Sequence, residues 1–139
     1  MEFRIGHLAY LTNDMSKTLP FYTEMLGFRH IFSLPHPETG KPWIEYVMTP
    51  DGRFIELFHP EEGMPTPDGS YMHLCLEVDD CAAAVAELER KGVTIRIPIK
   101  RGRDDNLQAW IRDPDGRDIE LMQLSPASGQ FRARASLTK

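Results

Sequence analysis

Four side chains recur at matched places in this sequence: His7 and Glu56 in the first half, His73 and Glu120 in the second. His7 and His73 are 66 positions apart, and Glu56 and Glu120 are 64 apart. Two imidazoles and two carboxylates form a donor set suited to a borderline divalent ion such as Zn, Ni, Co, Fe or Mn. The two carboxylates would balance the ion's charge. An octahedral ion with these four ligands would keep two positions open for water or substrate, which is a catalytic arrangement. Taken singly, a strand His is more often structural, and a strand Glu before a closing Leu more often faces solvent. Their repetition is what favours a ligand role. Glutamates on strands rich in Ile, Leu, Phe and Met face a desolvation cost unless something neutralises them.

The elements that must carry these groups repeat as well. Thr49-Pro50-Asp51-Gly52-Arg53-Phe54-Ile55-Glu56-Leu57 returns as Asp113-Pro114-Asp115-Gly116-Arg117-Asp118-Ile119-Glu120-Leu121, a tight turn feeding a strand. Gly27 and Gly92 are 65 positions apart, and Gly52 and Gly116 are 64 apart. In the first half the pattern predicts a strand over 4–12 with His7 near its middle, then a helix capped by Asn13 or Asp14. Its apolar stripe is Met15, Leu19, Tyr22 and Leu26, and Gly27 ends it. Pro20 is expected to kink that helix, because it removes a backbone donor. Strands follow over 28–34, 42–48 and 54–59.

The second half predicts a strand over 71–78 containing His73, then a helix capped by Asp79 and Asp80 with the stripe Cys81, Val85 and Leu88. Gly92 stops it, and strands follow over 93–99, 107–112 and 117–124. Alternation along a strand assigns each group a face. His7 falls with Ile5, Ala9 and Leu11, and Glu56 with Phe54 and Phe58. His73 falls with Tyr71, Cys75 and Glu77, and Glu120 with Asp118 and Met122.

The fold expected is α+β: two βαβββ modules forming curved mixed sheets around a metal-binding cup, with the helices outside. One domain would span 1–124, with module one over 1–60, a Pro-, Gly- and acid-rich linker over 61–70, and module two over 71–124. Residues 125–139 read as a polar tail, ordered only if it docks.

Composition bounds the function classes. The chain of 139 residues is 41% hydrophobic and 27% charged, with a formal net charge of −5. That balance argues against nucleic acid and anionic membranes as partners. No apolar run approaches the roughly 20 residues of a membrane span, and the N-terminus is not built like a signal peptide. Cys75 and Cys81 form no CxxC, so free thiols in a reducing cytosol are expected. The remaining candidates are weaker. His30, His36 and His59 have no matched copy and default to surface or core polar roles. Cys81 near a helix start is a candidate for a lowered pKa. Trp43, Tyr46 and Trp110 line a ligand cup or fill the core, and Lys100, Arg101 and Arg103 form a basic loop.

The segments "GHLAYLTNDMSKTLPFYTEMLGF", "GRFIELF", "YMHLCLEVDD" and "DPDGRDIEL" together resemble the vicinal oxygen chelate superfamily, which includes glyoxalase I, bleomycin resistance proteins and extradiol dioxygenases. The resemblance runs to about residue 124. The His, Glu, His, Glu order is similar to that of glyoxalase I, the lactoylglutathione lyase. It implies a divalent metal (Ni, Zn, Co, Mn or Fe) on His7, Glu56, His73 and Glu120. The substrate would be the hemithioacetal of methylglyoxal with glutathione or another thiol, isomerised by proton transfer through a metal-bound enediolate. Glu120 would be the base, with Glu56 its symmetric alternative. Leu11 stands where glyoxalase I carries an Arg that helps hold glutathione, so Arg101 or Arg103 would have to substitute. A homodimer is implied too, with the four ligands coming from one chain or from two. The other superfamily activities are metal-dependent epimerisation, extradiol dioxygenation with His7, His73 and Glu120, and metal-free drug binding.

Overall fold

The repeated turn takes the same form in both halves. The Gly52 amide donates to the Thr49 carbonyl (2.9 Å), and the Gly116 amide to the Asp113 carbonyl (2.9 Å). Both glycines adopt positive φ, +82° and +83°, a conformation that a Cβ disfavours. The side chain at the turn's start closes each loop. Thr49 Oγ1 accepts from the Arg53 amide at 3.0 Å, and the Asp113 carboxylate accepts from the Arg117 amide at 2.9 Å.

The computed structural model describes residues 1, 2, 4–61 and 71–138. Apart from Glu61, the linker expected over 61–70 lies outside them. The chain divides into two compact units, Met1–Gly69 and Ser70–Lys139. In the first, β1 (His7–Leu11), α1 (Met15–Pro20), a π-helical turn (Phe21–Met25), β2 (Arg29–Pro35), β3 (Pro42–Met48) and β4 (Phe54–Phe58) follow in order. The sheet order is β1-β4-β3-β2, with β1 and β4 parallel and the other pairs antiparallel. Asp14 caps α1 by accepting from the Ser16 amide. Pro20, which has no amide to donate, is the last residue of α1. The chain then widens, so that the Leu26 amide donates five residues back to the Phe21 carbonyl. The covered face packs Tyr10, Tyr22, Val47, Ile55 and Leu57.

The second unit holds β5 (Leu74–Glu77), α2 (Cys81–Arg90), β6 (Ile97–Arg101), β7 (Leu107–Arg112), β8 (Asp118–Gln123) and α3 (Gly129–Ala135). Its order, β5-β8-β7-β6, repeats the first sheet, again with one parallel pair, β5 and β8. Asp80 caps α2 through the Ala83 amide. Leu88, Ala109, Ile111, Ile119 and Leu121 are buried.

Several expectations are corrected. Two mixed sheets with flanking helices are present, but curved sheets around a metal-binding cup are not: each unit has its own open four-stranded sheet, neither closed nor strongly curled. Three strand interfaces twisting by about 20–25° each fall far short of closure, which takes about eight strands. His73 precedes β5 rather than lying inside a strand, and the strand expected over 93–99 begins only at Ile97. Residues 129–135 of the expected tail form α3, which is docked on its own unit. Arg134 grips Glu77 with two bonds of 2.8 Å, and Gln130 donates to Asp104 at 3.0 Å. No helix among the described residues is long and apolar enough to cross a membrane.

Candidate functional site

Register brings each His–Glu pair together within its own unit. Ala9 pairs with Glu56 and His7 with Phe54, so His7 and Glu56 project from the same face of the first sheet. His7 Nε2 contacts Glu56 Oε2 directly. Tyr46 is the cross-strand partner of Glu56. Its phenol pKa is raised, chiefly by its hydrogen bond to Glu56, then by burial and the carboxylate's charge. Phe32 stacks on Tyr46 with ring centroids 4.2 Å apart. This face is therefore aromatic around a single carboxylate.

In the second unit His73 Nε2 lies 3.1 Å from Glu120 Oε2. Trp110 is the cross-strand partner of Glu120 and meets the His73 ring edge-on at 4.8 Å. Cys75 pairs with Glu120 across the parallel ladder. The residue as a whole is exposed on this open face. Crowding around the sulfur, then the charges of Glu120, Glu77 and Asp104, push its thiol up to about 12, so it is not a thiolate at neutral pH. Cys81, expected as a candidate for a lowered pKa, goes the other way. It is fully buried, and burial followed by the Asp80 charge raises it.

Each unit supplies one imidazole and one carboxylate, two donors of the kind that bind a borderline divalent ion. Two cis ligands at about 2.1 Å from an octahedral ion lie about 3 Å apart, and the His73–Glu120 separation of 3.1 Å matches. No three His, Cys, Asp or Glu side chains are gathered in metal-binding geometry among the described residues. The basic-loop candidates do less. Arg101 Nη1 donates to its own loop, at the Asp105 carbonyl (2.7 Å), and Arg103 is exposed.

Sequence reasoning missed a second polar cluster, on the face of the first sheet opposite Glu56. Glu45 is 9% exposed and accepts from Ser33 Oγ. His30 Nε2 lies 2.8 Å, and His59 Nε2 3.1 Å, from its two oxygens. A register shift between His30 and Phe32 turns His30 and Ser33, three residues apart, onto one face. Strict alternation would have separated them, which is why the cluster was not legible. Burial raises the Glu45 carboxyl, but Ser33, His59 and His30 outweigh it and hold it below its ordinary value.

Comparison with known proteins places this geometry. Residues 4–121 match the family model of the Glyoxalase/Bleomycin resistance protein/Dioxygenase superfamily. A probable chloroplastic lactoylglutathione lyase of Arabidopsis thaliana is 30% identical over 88% of this chain, which spans 36% of that protein's length. The lactoylglutathione lyase of Salmonella typhimurium is 28% identical over 89% of this chain and 95% of its own. Among solved structures, TnmS3, an antibiotic binding protein from Streptomyces sp. CB03234, superposes with a TM-score of 0.70. It is 29% identical, over 89% of this chain and 98% of its own.

Proposed function

As this chain belongs to the Glyoxalase/Bleomycin resistance protein/Dioxygenase superfamily, we propose that it binds a small oxygenated molecule on the open sheet faces carrying His7–Glu56 and His73–Glu120. The observation that carries this reading is the paired contact itself: in each unit a His meets a nearly buried Glu whose cross-strand partner is aromatic, Tyr46 in the first and Trp110 in the second. The finer reading is a metal-dependent lyase or isomerase of glyoxalase I type. His7, Glu56, His73 and Glu120 would hold the divalent ion, which when bound supplies Lewis acidity toward the substrate's oxygens. Glu120 would take the proton from one carbon and return it to its neighbour, a task for a carboxylate within reach of both. Tyr46 would stand beside Glu56, and Trp110 beside Glu120, each within its own unit. A homodimer belongs to the same reading and is checked by light scattering.

A second reading, binding without metal, is supported by the absence of a three-ligand cluster among the described residues and by the similarity to an antibiotic binding protein. Metal content decides between them. Purified protein stripped with chelator is reloaded with Ni, Zn, Co, Mn or Fe, and bound metal is quantified. Turnover of methylglyoxal with glutathione is then measured. Stoichiometric metal and turnover abolished by chelation are expected for the lyase. No retained metal sinks that reading and leaves binding alone. Metal with no thiol-dependent turnover moves the assignment to an epimerase or dioxygenase of the superfamily.

A further inference from the structure

Beside the Trp110–Glu120 pair on the second sheet lies a group of charges that the reading above does not use. Arg112 is the cross-strand partner of Asp118, as Trp110 is of Glu120. Arg112 Nε donates to Asp118 Oδ1 at 2.9 Å, and Arg96 Nε approaches the same oxygen at 2.9 Å. Asp118 and Glu120 are two residues apart on one face of β8, so their Cα atoms lie about 7 Å apart. Two guanidiniums therefore share one carboxylate and leave a net positive charge beside the His73–Glu120 pair.

Other arginines of this unit are matched differently. Arg134 meets Glu77 one to one, and Arg117 faces both Asp113 and Asp115. At Arg96 and Arg112 the carboxylate is engaged through Nε. No other carboxylate lies within ion-pair distance of either among the described residues. Both side chains are accessible, 34% and 54% exposed. A guanidinium with free N–H groups is the side chain best shaped to bind a carboxylate or phosphate oxygen in a fixed orientation.

We propose that Arg96 and Arg112 form an anion subsite that holds a carboxylate or phosphate on the small molecule, its reactive end lying toward His73 and Glu120. The inference deepens the function proposed above by making the ligand anionic, and it takes over the role for which the sequence offered only Arg101 or Arg103. Asp118 is the internal anion with which a ligand competes for the two guanidiniums.

The test is an equilibrium one, made on the full chain without added metal, so it does not depend on turnover. Malonate and inorganic phosphate are titrated at constant ionic strength, with chloride as control, while the Trp110 indole N–H resonance is followed by NMR and assigned with Trp110→Phe. Saturable shifts are expected. Arg96→Gln combined with Arg112→Gln should weaken binding at least about tenfold, one charge-assisted contact's worth or more. The tighter of malonate and phosphate identifies the anion. Asp118→Asn removes the competing charge and should tighten binding, an outcome that a merely structural salt bridge would not give. Unsaturable shifts equal to those of chloride, unchanged binding in the double variant, or weaker binding in Asp118→Asn would overturn the proposal. If methylglyoxal and glutathione turn over while neither anion binds, the subsite fails and the enzyme reading stands. If the anions bind without turnover, the reverse holds.

Discussion

The two units share one topology and one His–Glu contact on the open face but fill their covered faces differently. In the first, the covered face is aromatic and polar: Tyr10, Phe21, Tyr22 and Leu57 are buried, with Tyr22 against the rings of Tyr10 and Phe21, and Glu45 is buried among His30, His59 and Ser33. In the second it is aliphatic. Leu88, Ile111, Ile119 and Leu121 are buried, and Ala109 and Gln123 stand where offset matching places Glu45 and His59. Gln123 there accepts from the Cys81 amide at 2.9 Å, tying β8 to the start of α2. A core tolerates large changes of filler if volume and patterning are kept. On the opposite face, the His and the Glu recur in the same contact. The open face changes around that contact, with Met48 and Phe54 of the first unit matched by Arg112 and Asp118 in the second, yet the contact itself is kept.

The largest effect expected concerns the symmetric pair. Glu56→Gln and Glu120→Gln each keep size and lose the charge. If Glu120 is the base, its variant should cut turnover by about 10²- to 10⁴-fold, the range for a lost general base, with metal still bound. Glu56→Gln should act mainly on metal content. The two are separated by quantifying metal and turnover in the same preparations. Reversed behaviour would move the base to the first unit, and equal loss of metal in both would leave neither as base.

Next in size is the covered face. Leu57 is fully buried and Leu121 nearly so, at 0% and 2% exposure on matched strands. Either Leu→Ala change should cost about 2–5 kcal/mol through lost burial and a residual cavity. Denaturant unfolding followed by circular dichroism measures both. The aromatic surroundings of Leu57 close over a cavity less readily than the aliphatic surroundings of Leu121, so Leu57→Ala should lie at the upper end. The opposite ranking would mean that packing in the two units does not differ where it matters.

How much of this could be read from sequence follows from the same contrast. The succession of strand, helix and three strands in each half was legible, and the caps were narrowed to Asn13 or Asp14 and to Asp79 and Asp80, because turn chemistry, helical stripes and capping residues act locally. The contact of each His with its Glu needed the structure, because alternation assigns faces within a strand and leaves the register between strands open. The later start of the strand expected over 71–78, at Leu74, was not legible: the Tyr71 hydroxyl accepts from the Leu74 amide and donates to the Asp118 carbonyl, and so takes the place of ladder bonds. The shift in β2 was equally hidden, because no residue type announces it. Nor could charge counts reveal that Arg96 and Arg112, 16 positions apart, meet on one oxygen of Asp118.

The smallest predicted effect isolates the polar cluster that makes the first unit unlike the second. Glu45 is held below its ordinary pKa by Ser33, His59 and His30 against the opposing pull of burial. A carboxyl whose folded pKa is depressed stabilises the fold in its ionised form. That contribution is complete above the unfolded value, roughly 4.3, and is lost as pH falls through the lower folded value. Glu45→Gln keeps the shape and removes the charge. At pH 7 it should cost about 1–2 kcal/mol, the scale of weakening charge-assisted bonds at a site with some water access. On acidification the wild-type and variant stability curves should converge, because protonation brings the wild-type chain to the variant's state. Urea unfolding at a series of pH values measures the gap. Curves that stay parallel below pH 5 would show that Glu45 contributes by packing alone, and the first unit would then differ from the second in composition but not in what holds its covered face together.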